Sequence, residues 1–261
     1  MDNSLIRKAI YANSFLWKGT FIYELVVLPE YLLWYTKQLD TLFMSSAQGL
    51  SSFDALKANL AEIEDFFKSK NKPTSIYLDP LTDTPETVEF LTQQGYNEAP
   101  DNAEVWWGID LGEFDPEKID TTPGLDIKPC LDRETFDDHL QAALLGYSDF
   151  ESWAVQLSEH FQNKVDGVEI SHFVGYMNGK PAACSTVGHY FDFSILINTA
   201  VVPEFRRKGI HTSMMLQRLK EAKARGSKYA FYQTETDNEA SIATGRKLGF
   251  TERFRRKLFT K

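Results

Sequence analysis

The chain has 261 residues, 43% of them hydrophobic and 25% charged, the balance of a globular protein of one large domain or two small ones rather than a disordered or fibrous chain. Its net charge of −9 is unevenly held: from Pro203 onward there are 15 Lys/Arg and 6 Asp/Glu, net +9, which leaves net −18 for the rest. Cys130 and Cys184, the only two cysteines, have neither metal-ligand spacing nor the numbers for a disulfide framework, so no metal is expected.

The N-terminus, Met1-Asp2-Asn3-Ser4, lacks a signal-peptide pattern. The apolar stretch from Phe15 to Trp34 is broken by Lys18, Glu24 and Glu30, too many charges for a spanning helix. A cytoplasmic protein with no membrane partner is expected. The basic end suits a polyanion, but no aromatic-basic RNA module or DNA-reading helix accompanies it, so no nucleic-acid partner is expected. The acidic remainder would draw cationic partners.

Taken in order, residues 1–47 are aromatic-rich and hard to assign; Phe21 to Leu28 reads as a strand and Glu30 to Phe43 as a helix. Ser52 or Asp54 is placed to cap a helix whose apolar stripe is Leu56, Leu60, Ile63, Phe66 and Phe67. Pro73 to Tyr96 then aligns without gaps on Ser227 to Phe250: both read strand, Thr-Asp turn, helix, Gly-aromatic. Thr82-Asp83 matches Thr236-Asp237, and Gly95-Tyr96 matches Gly249-Phe250. Such a repeat points to a tandem fold, although strand-turn-helix-Gly is also a common sequence. Glu113 to Pro123 is charged, Pro-containing and aperiodic, a linker signature.

Beyond it, Ser171–Tyr176 and Pro181–Val187 flank Asn178-Gly179, the strongest short hairpin signal. Phe193 to Val202 is an apolar run of strand type. Met215, Leu216, Leu219 and Ala222 form a helical stripe. Between them lies Val201-Val202-Pro203-Glu204-Phe205-Arg206-Arg207-Lys208-Gly209-Ile210-His211-Thr212. A helix start preceded by three cations and a glycine is suited to a phosphate or pyrophosphate, because its first N–H groups are unpaired and carry partial positive charge. A second segment pairs the strand Tyr229–Gln233 with Asp237-Asn238-Glu239-Ala240-Ser241 and Leu248-Gly249-Phe250.

Val-x-Pro-x-Phe-Arg-x-x-Gly-Ile at 201–210 resembles the acyl-CoA pyrophosphate motif of the GNAT N-acetyltransferases, and Asn238-x-x-Ser241 with Leu248-Gly249-Phe250 resembles that family's pantetheine-lining segment. The resemblance implies an α/β fold (α+β mixed sheet), the GNAT acyl-CoA acyltransferase fold. With the repeat, it implies two GNAT-like halves: a degenerate N-terminal half over 1–115, a linker at 116–123 and a GNAT acetyltransferase domain over 124–261. Projected onto the N-terminal copy, Arg206, Gly209 and Asn238 become Ser52, Ala55 and Thr84, so that half has lost the cofactor residues. In the C-terminal domain the family order makes Gly124–Lys128 the first strand, Arg133–Leu145 and Phe150–Phe161 the first two helices, and Gly146 to Asp149 the border of the acceptor pocket. The strand from Phe193 is expected to splay from its neighbour.

Acetyl-CoA is the implied co-substrate. It would be held by Thr199, Ala200 and Val201 on the splayed strand, by Arg206, Arg207, Lys208, Gly209, Ile210, His211 and Thr212 at the loop, and by Asn238 and Ser241. The implied acceptor is a small-molecule or peptide amine, and the implied assembly a monomer or homodimer. Two positions depart from the family pattern: His211 stands where Gly or Ala is usual, and Gly245 where a Tyr commonly protonates the departing thiolate. Candidates for the chemistry are Glu235 and His189 as base and Ser241, Tyr232 or His211 as acid. A non-catalytic acyl-CoA sensor or scaffold is the alternative to an enzyme.

Overall fold

The computed structural model describes residues 3–18, 24–37, 42–147 and 167–261. In chain order the N-terminal part contains α1 (Asn3–Lys18), β1 (Glu24–Val27), β2 (Leu32–Tyr35), β3 (Ala47–Gln48), α2 (Phe53–Ser69), β4 (Ser75–Leu78), α3 (Pro85–Gln93), β5 (Asn97–Glu98) and β6 (Glu104–Asp110). It is followed by β7 (Leu125–Pro129), α4 (Arg133–Gly146), β8 (Val168–Met177), β9 (Lys180–Tyr190), β10 (Phe193–Val201), α5 (Ile210–Ala224), β11 (Tyr229–Glu235), α6 (Glu239–Lys247) and β12 (Thr251–Thr260). Among these residues the strands form one mixed sheet in the order β1-β2-β3-β4-β12-β6-β11-β10-β9-β8-β7, with β5 on β12.

Most elements follow from local chemistry. Ser52 caps α2 by accepting the Ala55 N–H, and Leu56, Leu60, Ile63 and Phe67 are buried beneath it. Asn178 and Gly179 both adopt positive φ, 53° and 75°, as a two-residue turn twisted to match its strands requires. The helix expected over Glu30–Phe43 is not formed. Leu32–Tyr35 is a strand buried at all four positions, and Leu42–Met44 is a single 3₁₀ turn; residues 38–41 lie outside the described residues. A run buried on both faces has no periodicity to separate strand from helix. α1, unassigned from sequence, packs on the C-terminal strands: a β-carbon at Gly188 of β9 would overlap Leu16. Of the strand expected over Phe21–Leu28, residues 24–27 form β1 and 21–23 lie outside the described residues, as does the helix expected over Phe150–Phe161.

The aligned segments fold alike down to their caps. Thr84 caps α3 by accepting the Thr87 N–H, and Asn238 caps α6 by accepting the Ser241 N–H. Both helices end at a left-handed glycine, Gly95 (φ 87°) and Gly249 (φ 90°), and the next N–H reaches back five residues in each, Tyr96 to Leu91 O and Phe250 to Gly245 O. The closing strands are exchanged. β6, which follows α3, pairs with β11 (Tyr229↔Asp110 to Glu235↔Glu104). β12, which follows α6, pairs with both β4 and β6. Two apolar clusters result, one beneath α2 and α3 and a larger one joining α1 to the C-terminal elements.

Candidate active site

The site begins where two parallel strands part. β10 and β11 are in register only from Phe193↔Tyr229 to Ile195↔Phe231. Beyond that, β11 continues with β6 to Glu235 and β10 with β9 to Val201. A bulge between Ile197 and Ala200 turns β10 away, and Asn198 at its centre takes a left-handed φ of 50°. Among the described residues, the β11-facing edge of β10 from Leu196 to Val201 therefore has no strand partner. Side chains of this chain take two of the carbonyls there: Tyr147 donates its hydroxyl to Thr199 O at 2.8 Å, and Arg206 Nε donates to Val201 O at 3.0 Å.

At the open end lies the basic loop. Pro203–Phe205 is a 3₁₀ turn; Arg207 (φ 62°) and Gly209 (φ 80°) are both left-handed, and Ile210 starts α5. Arg206, Arg207 and Lys208 are exposed. Arg206 also ties the loop to the end of α4, Nη2 to Gly146 O at 2.9 Å. The first N–H groups of α5 and these cations make an anion site of the kind helix starts provide. The linker packs against it: Thr122 donates its N–H to Ser213 Oγ at 2.9 Å and its hydroxyl to Lys208 O at 3.0 Å. Sequence patterning gave no sign of Thr122.

α6 forms the remaining wall. Asn238 Oδ1 accepts the Ser241 N–H at 3.1 Å, and Ser241 O accepts the Tyr232 hydroxyl at 3.3 Å. A β-carbon at Gly245 would overlap that hydroxyl. His211 does not point away from the protein: its Nδ1 lies 3.1 Å from Thr244 Oγ1, joining α5 to α6. Thr244 gives its own proton to Ala240 O at 2.9 Å, so its oxygen accepts from His211 Nδ1–H. Burial lowers the His211 pKa to about 4. The two departures from the family pattern, His211 and Gly245, thus lie beside each other around Thr244.

Thr199–Val201 thus lie on the open edge of β10, Arg206–Thr212 form the loop and helix start that follow it, and His211 joins that helix to α6, whose first turn holds Asn238 and Ser241. Glu235 is exposed at the end of β11, in register with Glu104. His189 is elsewhere: it pairs with Ser194 at the opposite end of β10 from Val201. Its Nδ1 is 2.8 Å from Ser194 Oγ, which is 2.7 Å from Ser227 Oγ, and burial lowers its pKa to about 4. Arg218 belongs to no motif in the sequence. It is 1% exposed and lies in the apolar stripe of α5, where a charge i+4 from Met214 was the available signal.

Residues 134–250 match the model of the Acetyltransferase (GNAT) family. The [ribosomal protein bS18]-alanine N-acetyltransferase of Escherichia coli K12 is 32% identical over 75 residues, 29% of this chain and 51% of that enzyme; the chain thus spans about half the length of the curated relatives it matches. Among solved structures, a GCN5-related N-acetyltransferase from Kribbella flavida superposes with a TM-score of 0.70 at 15% identity, covering 97% of this chain and 95% of that one. A tandem GNAT protein from the clavulanic acid biosynthesis pathway gives 0.68 at 16% identity, over 88% of this chain and 78% of that one. No helix among the described residues is long and apolar enough to cross a membrane. Residues 134–250 are a domain of the GNAT acetyltransferase family, carried on a chain that has the GNAT fold along nearly its whole length.

Proposed function

We propose that the protein is an N-acetyltransferase that moves an acetyl group from acetyl-CoA to a primary amine by direct attack in a ternary complex. The observation that carries this reading is the parting of β10 from β11 beyond Ile195 and Phe231, which opens a strand edge leading to the N-terminus of α5. The residues fit the cofactor. The α5 start, with Arg207, Lys208 and the left-handed Gly209, suits the diphosphate, and the open edge of β10 suits the amide-bearing pantetheine arm. Bound there, acetyl-CoA would supply an activated thioester; the chain's part is to hold it and to exclude water.

Glu235, exposed at the end of β11, is the base we assign to take a proton from the acceptor ammonium. The acidic remainder of the chain favours cationic acceptors. The bS18-alanine enzyme makes a peptide α-amine a natural member of the acceptor panel. Calorimetric titration of acetyl-CoA, followed by thiol release over a panel of small and peptide amines, tests the reading. Binding with release in the presence of one amine class is the expected result. Binding without release from any amine would favour a sensor or scaffold, and no binding would sink the cofactor assignment. Arg207→Glu and Lys208→Glu, both at exposed positions, are expected to leave the circular dichroism spectrum unchanged and to weaken acetyl-CoA binding sharply.

A further inference from the structure

A cleft of about 370 Å³ lies at the far end of β10 from the basic loop. Arg7, Lys8 and Tyr11 of α1 form one wall, and Tyr190, Phe191 and Asp192 form the other. Phe193, which also lines it, is the first residue of β10, and Val201 is the last. At the rise of a strand those ends stand roughly 25 Å apart, so this cleft is separate from the loop and helix start assigned to the diphosphate.

Its walls are largely aromatic. Tyr190 stacks on Phe15 with ring centres 4.8 Å apart and meets Phe191 edge-on at 4.7 Å. Phe191 is 82% exposed. It is the first of two turn residues between the paired Tyr190 and Phe193, and its φ is 51°, a conformation that glycine adopts far more readily than a residue with a β-carbon. The fold gains little burial from the Phe191 ring, and the turn would be easier to form without it.

The charge at the cleft is positive. Among the described residues neither Arg7 nor Lys8 has a carboxylate within ion-pair distance; Arg7 Nη2 donates to Pro29 O at 3.3 Å, and its guanidinium lies 5.9 Å from the centre of the Tyr11 ring. Asp79 feels Arg7 only from beyond that distance. The one acid in the lining, Asp192, has Lys228 Nζ 3.7 Å from its Oδ2. No acidic residue stands in the first turn of α1 to offset the positive end of that helix.

We propose that this cleft is a second ligand site, for a small carboxylate with a flat aromatic body. The body lies against the rings of Tyr190 and Phe191, and the carboxylate meets Arg7 and Lys8, the pairing of apolar surface with a few convergent polar groups that small-molecule sites use. An aromatic cation would meet two like charges there, and an uncharged ligand would leave both unanswered. The site stands whether or not acetyl-CoA binds at the other end of β10.

The test is calorimetric titration of the full chain with 2-naphthoate, and with 2-naphthamide, which keeps the rings and lacks the charge. Naphthoate is expected to bind with one site per chain and naphthamide roughly tenfold more weakly. Arg7→Met and Lys8→Met should each weaken naphthoate about fivefold, as the loss of one exposed ion pair does, and leave naphthamide unchanged. Phe191→Gly should weaken both probes without lowering the melting temperature, since glycine suits the turn. Saturating acetyl-CoA should leave naphthoate affinity as it was. Absence of wild-type naphthoate binding overturns the proposal, as do equal affinities for the two probes. Displacement of naphthoate by acetyl-CoA overturns it too, by placing the probe in the cofactor site. So does a concentration-dependent dimer, or adhesion to phosphatidylglycerol vesicles, that Phe191→Gly abolishes; the cleft would then be covered by a second copy or by a membrane.

Discussion

At Gly245 the missing side chain is a matter of space. A helical Gly→Ala change ordinarily gains roughly 1 kcal/mol, but here the added carbon meets the Tyr232 ring and hydroxyl, and overpacking of this kind costs about 1–3 kcal/mol. Gly245→Ala is therefore expected to lower the melting temperature. Tyr232→Phe removes the worst of the overlap, so the loss should be smaller in that background, measured as a thermal double-mutant cycle. The sequence marked position 245 as unusual and could not say why, because the cause is a residue on another element. Arg218 was equally visible, as a charge in an apolar stripe. Its hydrogen bonds go to carbonyls of β9 and β10, which no local pattern places beside it. Thr122 carried no signal, since one hydroxyl in an aperiodic linker looks like any other.

Among the elements, the two capped helices offer an internal control. Thr84 and Asn238 occupy the same position in the repeat and make the same bond. Replacing either by Ala should cost about 1 kcal/mol of stability. Only Asn238→Ala is expected to weaken acetyl-CoA as well; chemical denaturation and calorimetry on both variants check this, and equal affinity in the two would remove Asn238 from the site. The capped helices, the Asn178-Gly179 hairpin and the α5 stripe were legible because capping, turn chemistry and amphipathicity act over a few residues. Leu32–Tyr35 was not, because burial on both faces erases alternation, and α1 was not, because its partner surface lies on strands more than 150 positions away.

For the molecule as a whole, acid sensitivity and strand exchange stand out. His139 and His189 are buried, and burial alone or foremost lowers each pKa from 6.5 to about 4; His172 is lowered well below 6.5 for the same reason. The unfolded chain therefore binds more protons between those values. Stability is complete above about pH 6.5 and falls as pH drops toward about 4, by roughly 1.4 kcal/mol per pH unit for each histidine. Urea midpoints measured across this window should decline, and His139→Gln should flatten the decline.

The exchange of β6 and β12 also bears on the units proposed from sequence. A fragment spanning 124–261 lacks β6 and bares the edge of β11 from Tyr229 to Glu235. It is expected to self-associate in size-exclusion chromatography. A monomeric fragment that binds acetyl-CoA would show that residues 124–261 stand alone. Strand pairing between distant segments is not written locally in the chain, which is why the repeat was readable and the exchange was not.

Because β12 supplies Phe254 to one apolar cluster and Phe259 to the other, the order of synthesis matters. Until residues 251–260 emerge from the ribosome, β4 and β6 each carry a bare edge and both clusters lack a ring. Neither half is therefore expected to close fully during translation before these ten residues are made, and pulse-proteolysis of ribosome-bound chains ending before Thr251 should find both halves cleaved.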